Sequence, residues 1–272
     1  MSVVVLDLDG GHSVQALADD GVRAVSPPRE EAPGLIGVLG GMGPLATIDF
    51  MRKVLIATPA VSDQDHVPMI VSSIPQVPDR TAAFRGDGVS PLAAMVASGQ
   101  RLARAGAGLV VVPCNTAHLW FAELERALAL PMLHLVDSAL EDAAATVGAG
   151  APIGLLCTDA TLASGLYVNR VPRSAQAARV QWALPTATEM LELVMPGIAA
   201  VKAGALGRGA ELLGAAAQAL ARRGAQALIL GCTEVPLVLD AGNSPLPVID
   251  ATEALARRAV AWSLSQRKLA LA

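Results

Sequence analysis

The stretch Gly106-Ala107-Gly108-Leu109-Val110-Val111-Val112-Pro113-Cys114-Asn115-Thr116 is answered 118 residues later by Gly224-Ala225-Gln226-Ala227-Leu228-Ile229-Leu230-Gly231-Cys232-Thr233-Glu234. In each, an apolar run ends in glycine or proline, followed by a cysteine and then by an amide or hydroxyl side chain. The pattern predicts a thiol at the C-terminal lip of a buried strand, where a helix begins. Open α/β sheets keep their chemistry at that end.

The repeat extends beyond the cysteines. Ile36-Gly37-Val38-Leu39 returns as Ile153-Gly154-Leu155-Leu156 after 117 residues, and Leu130-Pro131-Met132-Leu133 as Leu246-Pro247-Val248-Ile249 after 116. The helix expected before each cysteine strand recurs as well, over Leu92 to Ala105 and Leu212 to Arg223. A nearly constant offset over four elements implies an internal duplication. Two like domains facing each other would put one cysteine on each wall of the cleft between them.

The 272 residues are enough for two modest domains, each with its own core. Although 53% of the residues are hydrophobic, the longest uncharged stretches are broken by Gly, Pro, Asn and His, whereas a spanning helix needs roughly 20 mostly apolar residues. No membrane association is expected. The first residues carry Asp7 and Asp9 inside an apolar run and lack a basic region, unlike a signal peptide. Cytoplasmic residence is the resulting expectation. A net charge of −4 and seven Trp, Tyr and Phe residues offer neither a basic stripe nor a stacking platform for nucleic acid.

The three cysteines include no CxxC pair, and the four histidines (His12, His66, His118, His134) form no metal-ligand spacing. Lysines are limited to Lys53, Lys202 and Lys268, none beside a glycine-rich phosphate loop, so a pyridoxal Schiff base has no evident home. The chemistry is expected to use protein groups alone, with no cofactor and no metal.

Residues 1–34 differ from the rest: Val3 to Leu6 could form a strand, but Ser26-Pro27-Pro28-Arg29-Glu30-Glu31 reads as a linker. From Leu35 onward, apolar runs at 35–39, 69–74, 109–112, 132–135, 153–157, 227–230 and 247–249 alternate with amphipathic helical stretches. This is the order of βα units with mostly parallel sheets. The expected organisation is an N-terminal extension (1–34), a first domain (35–129 plus 240–272) and a second (130–239). By the symmetry of the repeat, the segment from about 240 would lack a partner strand in the second half and return to the first.

Gly40-Gly41-Met42-Gly43-Pro44-Leu45-Ala46 imitates a dinucleotide fingerprint, but no second strand ends in an acidic residue about 20 positions later, because Asp63 and Asp65 lie in a polar loop. The glycines more simply let backbone N–H groups approach a small anion at a helix N-terminus. Asp7-Leu8-Asp9-Gly10 has the paired aspartates of a phosphatase loop without a domain behind it, and reads as a turn. Buried cysteines are often plain core residues, and Cys157 is read that way. Cys114 and Cys232 differ because Asn115, Thr116 and Thr233 follow at once and can cap a helix or grip a ligand. A nearby helix N-terminus would also make thiolate accessible.

Taken in order, Gly40 to Thr47, Asp63-Gln64-Asp65-His66, Pro78-Asp79-Arg80-Thr81, Pro113-Cys114-Asn115-Thr116-Ala117-His118 and Gly231-Cys232-Thr233-Glu234 resemble the aspartate racemase branch of the Asp/Glu racemase superfamily. The resemblance covers about residues 35–255. It implies two pseudo-symmetric α/β domains with the active site in the cleft between them, a homodimer, and a cofactor-independent amino-acid racemase whose favoured substrate has an acidic side chain. By the same resemblance, Cys114 and Cys232 match the catalytic acid/base pair, Met42, Asn115, Thr116, Thr158 and Thr233 lie around the substrate, and Arg80 and Lys202 attend the side-chain carboxylate. Glu234, also expected at the substrate, is typical of the aspartate branch; glutamate racemases usually carry histidine there. The first 34 residues lie outside the family core, and Cys157 stands where a smaller residue is usual.

Inverting a stereocentre without a cofactor requires a base on one face of the α-carbon and an acid on the other, hence one thiolate and one thiol. Other readings remain at this stage: a racemase of broader specificity, a dicarboxylate isomerase of related fold, or a catalytically silent dicarboxylate-binding protein.

Overall fold

A computed structural model describes residues 32–148, 150–170 and 180–270. The expectations for Val3 to Leu6, Asp7 to Gly10, His12 and the 26–31 linker lie outside the described residues. The chain begins its ordered alternation with β1 (Ile36–Gly40), α1 (Pro44–Ala57), β2 (Met69–Ser73), α2 (Arg80–Arg85), α3 (Leu92–Arg104) and β3 (Leu109–Val111). There follow α4 (Phe121–Leu128), α5 (Leu135–Thr146), β4 (Pro152–Leu156), α6 (Asp159–Ala163) and β5 (Gln181–Ala183). Next come α7 (Ala187–Glu189), a π-helical turn (Met190–Val194), α8 (Met195–Lys202), α9 (Leu206–Arg222), β6 (Ala227–Leu230), β7 (Val248–Asp250) and α10 (Ala251–Ala270).

The strands form two parallel sheets, ordered β2-β1-β3 and β5-β4-β6-β7. β1 is buried at every residue, as a central parallel strand with both faces covered must be. The duplication is visible in the register: Ile36 lies opposite Leu109, and Ile153 opposite Ala227. Even the last apolar run obeys it, since Met132 forms an isolated parallel bridge with Val110 where Val248 pairs with Leu228. The two-domain α/β architecture with parallel sheets is therefore present.

The segment from about 240 departs from the expectation. β7 pairs with β6 in the second sheet instead of returning to the first, because Leu246 to Ile249 repeats Leu130 to Leu133 and each run stays beside its own cysteine strand. The helices cross over. α10 packs on α1 and β3, while α5 packs on β6 and β7. A buried ion pair fastens this exchange: Lys53 of α1 meets Asp250 at the end of β7 at 2.5 Å and also Asp49. Two other elements differ from the expected pattern. β5 has no apolar run to announce it, and α9 starts six residues ahead of Leu212 despite Gly207 and Gly209.

Candidate active site

Each cysteine stands just past its strand. Val112 and Pro113 separate β3 from Cys114, and Gly231 separates β6 from Cys232; after Cys114 the expected helix begins as a 3-10 turn, Thr116–Trp120, that runs straight into α4, whereas after Cys232 only a short 3-10 turn, Val235–Leu237, follows. Both thiols are nearly buried and free. They line one cavity with Met42, Asp79, Arg80, Thr81 and Lys202. The remaining lining residues are Asn115, Thr116, Thr158, Thr233 and Glu234, so all ten residues expected at the site meet in one place.

Their positions follow from local structure. Met42 sits in the β1–α1 turn, which needs glycine: Gly41 has φ +90°, and a Cβ there would lie 2.4 Å from the Ile74 backbone. The Gly41 N–H, expected to face an anion, instead donates to Thr47 Oγ1 at 2.8 Å. Arg80 opens α2, where Asp79 is the N-cap and accepts from Ala82 N–H. Its guanidinium donates to the carbonyls of Val77 and Pro78, which holds it at the rim of the cavity. Partial burial works against the Asp79 anion, but the Ala82 N–H and the nearby Arg80 and Lys202 charges keep its carboxyl below the usual range.

The two halves touch through hydroxyls. Thr116 Oγ1 lies 3.0 Å from Thr158 Oγ1 and 2.9 Å from Thr161 Oγ1, so the turn after Cys114 is tied to the N-terminus of α6. Asn115 Oδ1 accepts from the Tyr167 hydroxyl, while its Nδ2 is buried without a hydrogen-bond partner. Burial holds the Tyr167 phenol well above its ordinary pKa, so it stays a donor and fixes the amide's orientation. A buried donor without an acceptor is costly, and a ligand acceptor would relieve it.

The second wall is anionic. Cys232 Sγ donates to Glu234 Oε2 at 3.0 Å, and Thr233 Oγ1 donates to the same oxygen at 3.3 Å. Burial and the adjacent Glu234 charge raise the Cys232 thiol well above its ordinary pKa. Burial alone would lower Lys202, but Glu234 and the two cysteines raise it, so it remains an ammonium. Glu234 also lies against Gly43, where an added Cβ would sit 3.1 Å from Oε1. The carboxylate expected to contact substrate therefore has the Cys232 thiol as its first partner.

His118 supports the first wall. Its Nε2 accepts the Leu135 N–H at 3.1 Å, which leaves the proton on Nδ1 to donate to the Cys114 carbonyl at 2.8 Å. Desolvation lowers its pKa to about 4, so the ring is neutral.

A profile described as Asp/Glu/Hydantoin racemase matches residues 39–259, most of the chain. The chain belongs to that family. It is an amino-acid racemase, and racemases of this kind work without pyridoxal phosphate. Among solved structures it is similar to the aspartate racemase of Picrophilus torridus, at 29% identity and TM-score 0.74, covering 84% of this chain and 94% of that one. Among curated relatives it is similar to the broad specificity amino-acid racemase RacX of Bacillus subtilis (strain 168), 27% identical over 85% of this chain and 99% of that protein. It is also similar to the glutamate racemase of Deinococcus radiodurans, 29% identical over 78% of this chain and 66% of the relative.

Within this cavity, sequence reasoning leaves Asp79 and Thr81 unassigned, although both belong to the quoted motif around Arg80. Thr161 and Tyr167 carried no signal at all, since one is an ordinary helical threonine and the other an isolated aromatic. Cys157 is 1% exposed and packs in the apolar core. Among the described residues, no group of three His, Cys, Asp or Glu could hold a metal, and no helix is long and apolar enough to cross a membrane.

Proposed function

We propose that the chain racemises amino acids with acidic side chains, aspartate foremost, by a two-base mechanism between Cys114 and Cys232, and that it does so as a cytoplasmic homodimer. The observation that carries this reading is the meeting of both thiols, from opposite halves of the duplication, in one cavity rimmed by Arg80. In the resting enzyme Cys232 keeps its proton, shared toward Glu234, and Cys114 serves as the thiolate base. Cys114 removes the α-proton from one face as Cys232 delivers a proton to the other. The product form has the two roles exchanged and serves the reverse reaction. The orphan Asn115 Nδ2 and the Thr116 hydroxyl supply donors for the α-carboxylate, on which negative charge builds as the α-proton leaves, while the Thr233 hydroxyl is engaged with Glu234. Arg80 offers a planar fork, and Lys202 a point charge, for the side-chain carboxylate.

Glu234 is assigned to Cys232 and not to the substrate, since a carboxylate beside an acidic side chain would repel it. The test is a chiral assay over L- and D-amino acids without added pyridoxal phosphate, with α-proton exchange in deuterated water as a second readout. Aspartate should racemise, and Arg80→Ala should lose about two to three orders of magnitude in kcat/KM on aspartate, with a much smaller loss on any neutral substrate. Substrate binding with neither racemisation nor exchange would leave a binding protein. Equal losses on acidic and neutral substrates would remove Arg80 from side-chain recognition.

A further inference from the structure

The cavity around the cysteines continues past Arg80 and Lys202. Asp79, Arg80, Lys202 and Glu234 line both it and a broader hollow of about 960 Å³ of empty space, counted with its open mouth, against about 300 Å³ around the thiols. The walls of the hollow are apolar: Pro44 and Leu45 of α1, Pro75 and Val77 after β2, Val201 of α8, and Leu237 after Cys232. Two cations and two carboxylates ring the neck, so their formal charges cancel. A neutral chain threading it meets no net charge, and beyond it finds a surface suited to methylene groups.

We propose that this hollow is a side-chain subsite through which the enzyme also racemises neutral amino acids with long, unbranched apolar side chains, of the norleucine and methionine type. The inference rests on the reading of Cys114 and Cys232 as the acid/base pair, and of Arg80 and Lys202 as the groups the substrate side chain faces. With the α-carbon held between the thiols, a side chain too long to stop at Arg80 continues along the same line into the hollow. The α-proton chemistry is unchanged, since only the groups at the α-carbon take part in it. Longer chains gain by burial of each added methylene, about a fourfold step in kcat/KM per carbon.

The experiment is a homologous series, alanine, 2-aminobutyrate, norvaline and norleucine, assayed by chiral chromatography with aspartate as reference. The expected result is a rise in kcat/KM with each carbon. Leu45→Trp and Leu237→Trp, one plug on each side of the hollow, should each flatten the rise. The readout is the norleucine to aspartate ratio, which should fall at least tenfold in either variant whatever its yield or absolute activity. A flat or falling series in the native enzyme, with aspartate still racemised, would overturn the subsite alone. An unchanged ratio in both plugged variants would also overturn it. Failure to racemise any amino acid, aspartate included, would overturn the reading of the cysteines and the subsite with it.

Discussion

The two cysteine walls share a backbone plan and differ in what stands two and four residues beyond the thiol. After Cys114 come Thr116, whose hydroxyl joins those of Thr158 and Thr161, and His118, whose ring holds the Cys114 carbonyl. After Cys232 the matching positions are Glu234, whose carboxylate takes the hydrogen bond of the thiol, and Pro236, with the Cys232 carbonyl held by the Val235 N–H. Duplication alone would yield two equivalent thiols. Racemisation needs inequivalent ones in each direction, one with a proton and one without. On the proposed two-base reading, the Glu234 carboxylate beside Cys232 supplies the inequivalence.

The harshest way to break the comparison is to remove either thiol. Cys114→Ser and Cys232→Ser should each lower kcat/KM by about 10³-fold or more, since a serine hydroxyl is too weak an acid to act as either partner. The fold should persist, because serine is close to isosteric at these lips. Far-UV circular dichroism and a chiral assay check both halves of the statement. Two variants with most of the native activity would end the two-base reading.

Acid pH separates the walls next, through His118. Its pKa is about 4 in the fold and about 6.5 when unfolded, so between these values the unfolded chain binds the extra proton. Stability is full above pH 6.5 and falls as the pH drops toward 4, by up to about 3 kcal/mol. Urea midpoints measured across that window should decline in the native protein and decline less steeply in His118→Gln. Parallel declines would mean that other groups govern the acid limb.

A subtler change equalises the two walls electrostatically. Glu234→Gln keeps the shape but removes the charge that, after burial, disfavours a thiolate at Cys232, so the alkaline limb of kcat/KM should move to lower pH. The acid limb should stay in place. The optimum rate should fall about tenfold or less, because the thiol remains. L- and D-substrates interconvert with an equilibrium constant of one, so kcat/KM must match in both directions in every variant; asymmetry can appear only in kcat and KM separately. An alkaline limb that stays put would detach Glu234 from Cys232.

Which parts of this were legible beforehand has a physical pattern. β1, β3, β4 and β6 are buried on both faces and so are written as apolar runs, and the cysteines follow from where those runs stop. β5 pairs with only one strand and begins with an exposed glutamine, so Gln181-Trp182-Ala183 carries no such run. The partner of β7 was misjudged because symmetry was applied to the whole segment from 240, whereas the strand obeys the repeat and only α10 crosses over. At the site, residue types were legible and pairings were not. Nothing in Gly231-Cys232-Thr233-Glu234 says that the carboxylate folds back onto the thiol, and nothing local to Tyr167 says that it fixes Asn115.

The smallest effect is expected at Cys157, the third thiol, one strand over from the Cys232 lip. A Cβ built on Gly231 would lie 3.1 Å from the Cys157 Cβ, yet Cys157 is absent from the cavity lining, and burial pushes its thiol far above the ordinary range. It is a core residue that keeps its proton at any pH at which the enzyme works. Cys157→Ala should therefore change kcat/KM by less than about twofold, while the lost sulfur contact costs about 1 kcal/mol of stability. Cys157→Ser places a hydroxyl in the same apolar pocket and should cost more stability, about 1 to 3 kcal/mol if unbonded, with kinetics again untouched. The alkaline side adds a sign. The unfolded thiol ionises above about pH 8.5 and the folded one does not, so the native protein loses stability as the pH rises past that value, and Cys157→Ala should lose less. A Cys157 variant with the kinetic collapse of a Cys232 variant would place the third thiol in the proton path, and the pairing of two walls would have to become a triad.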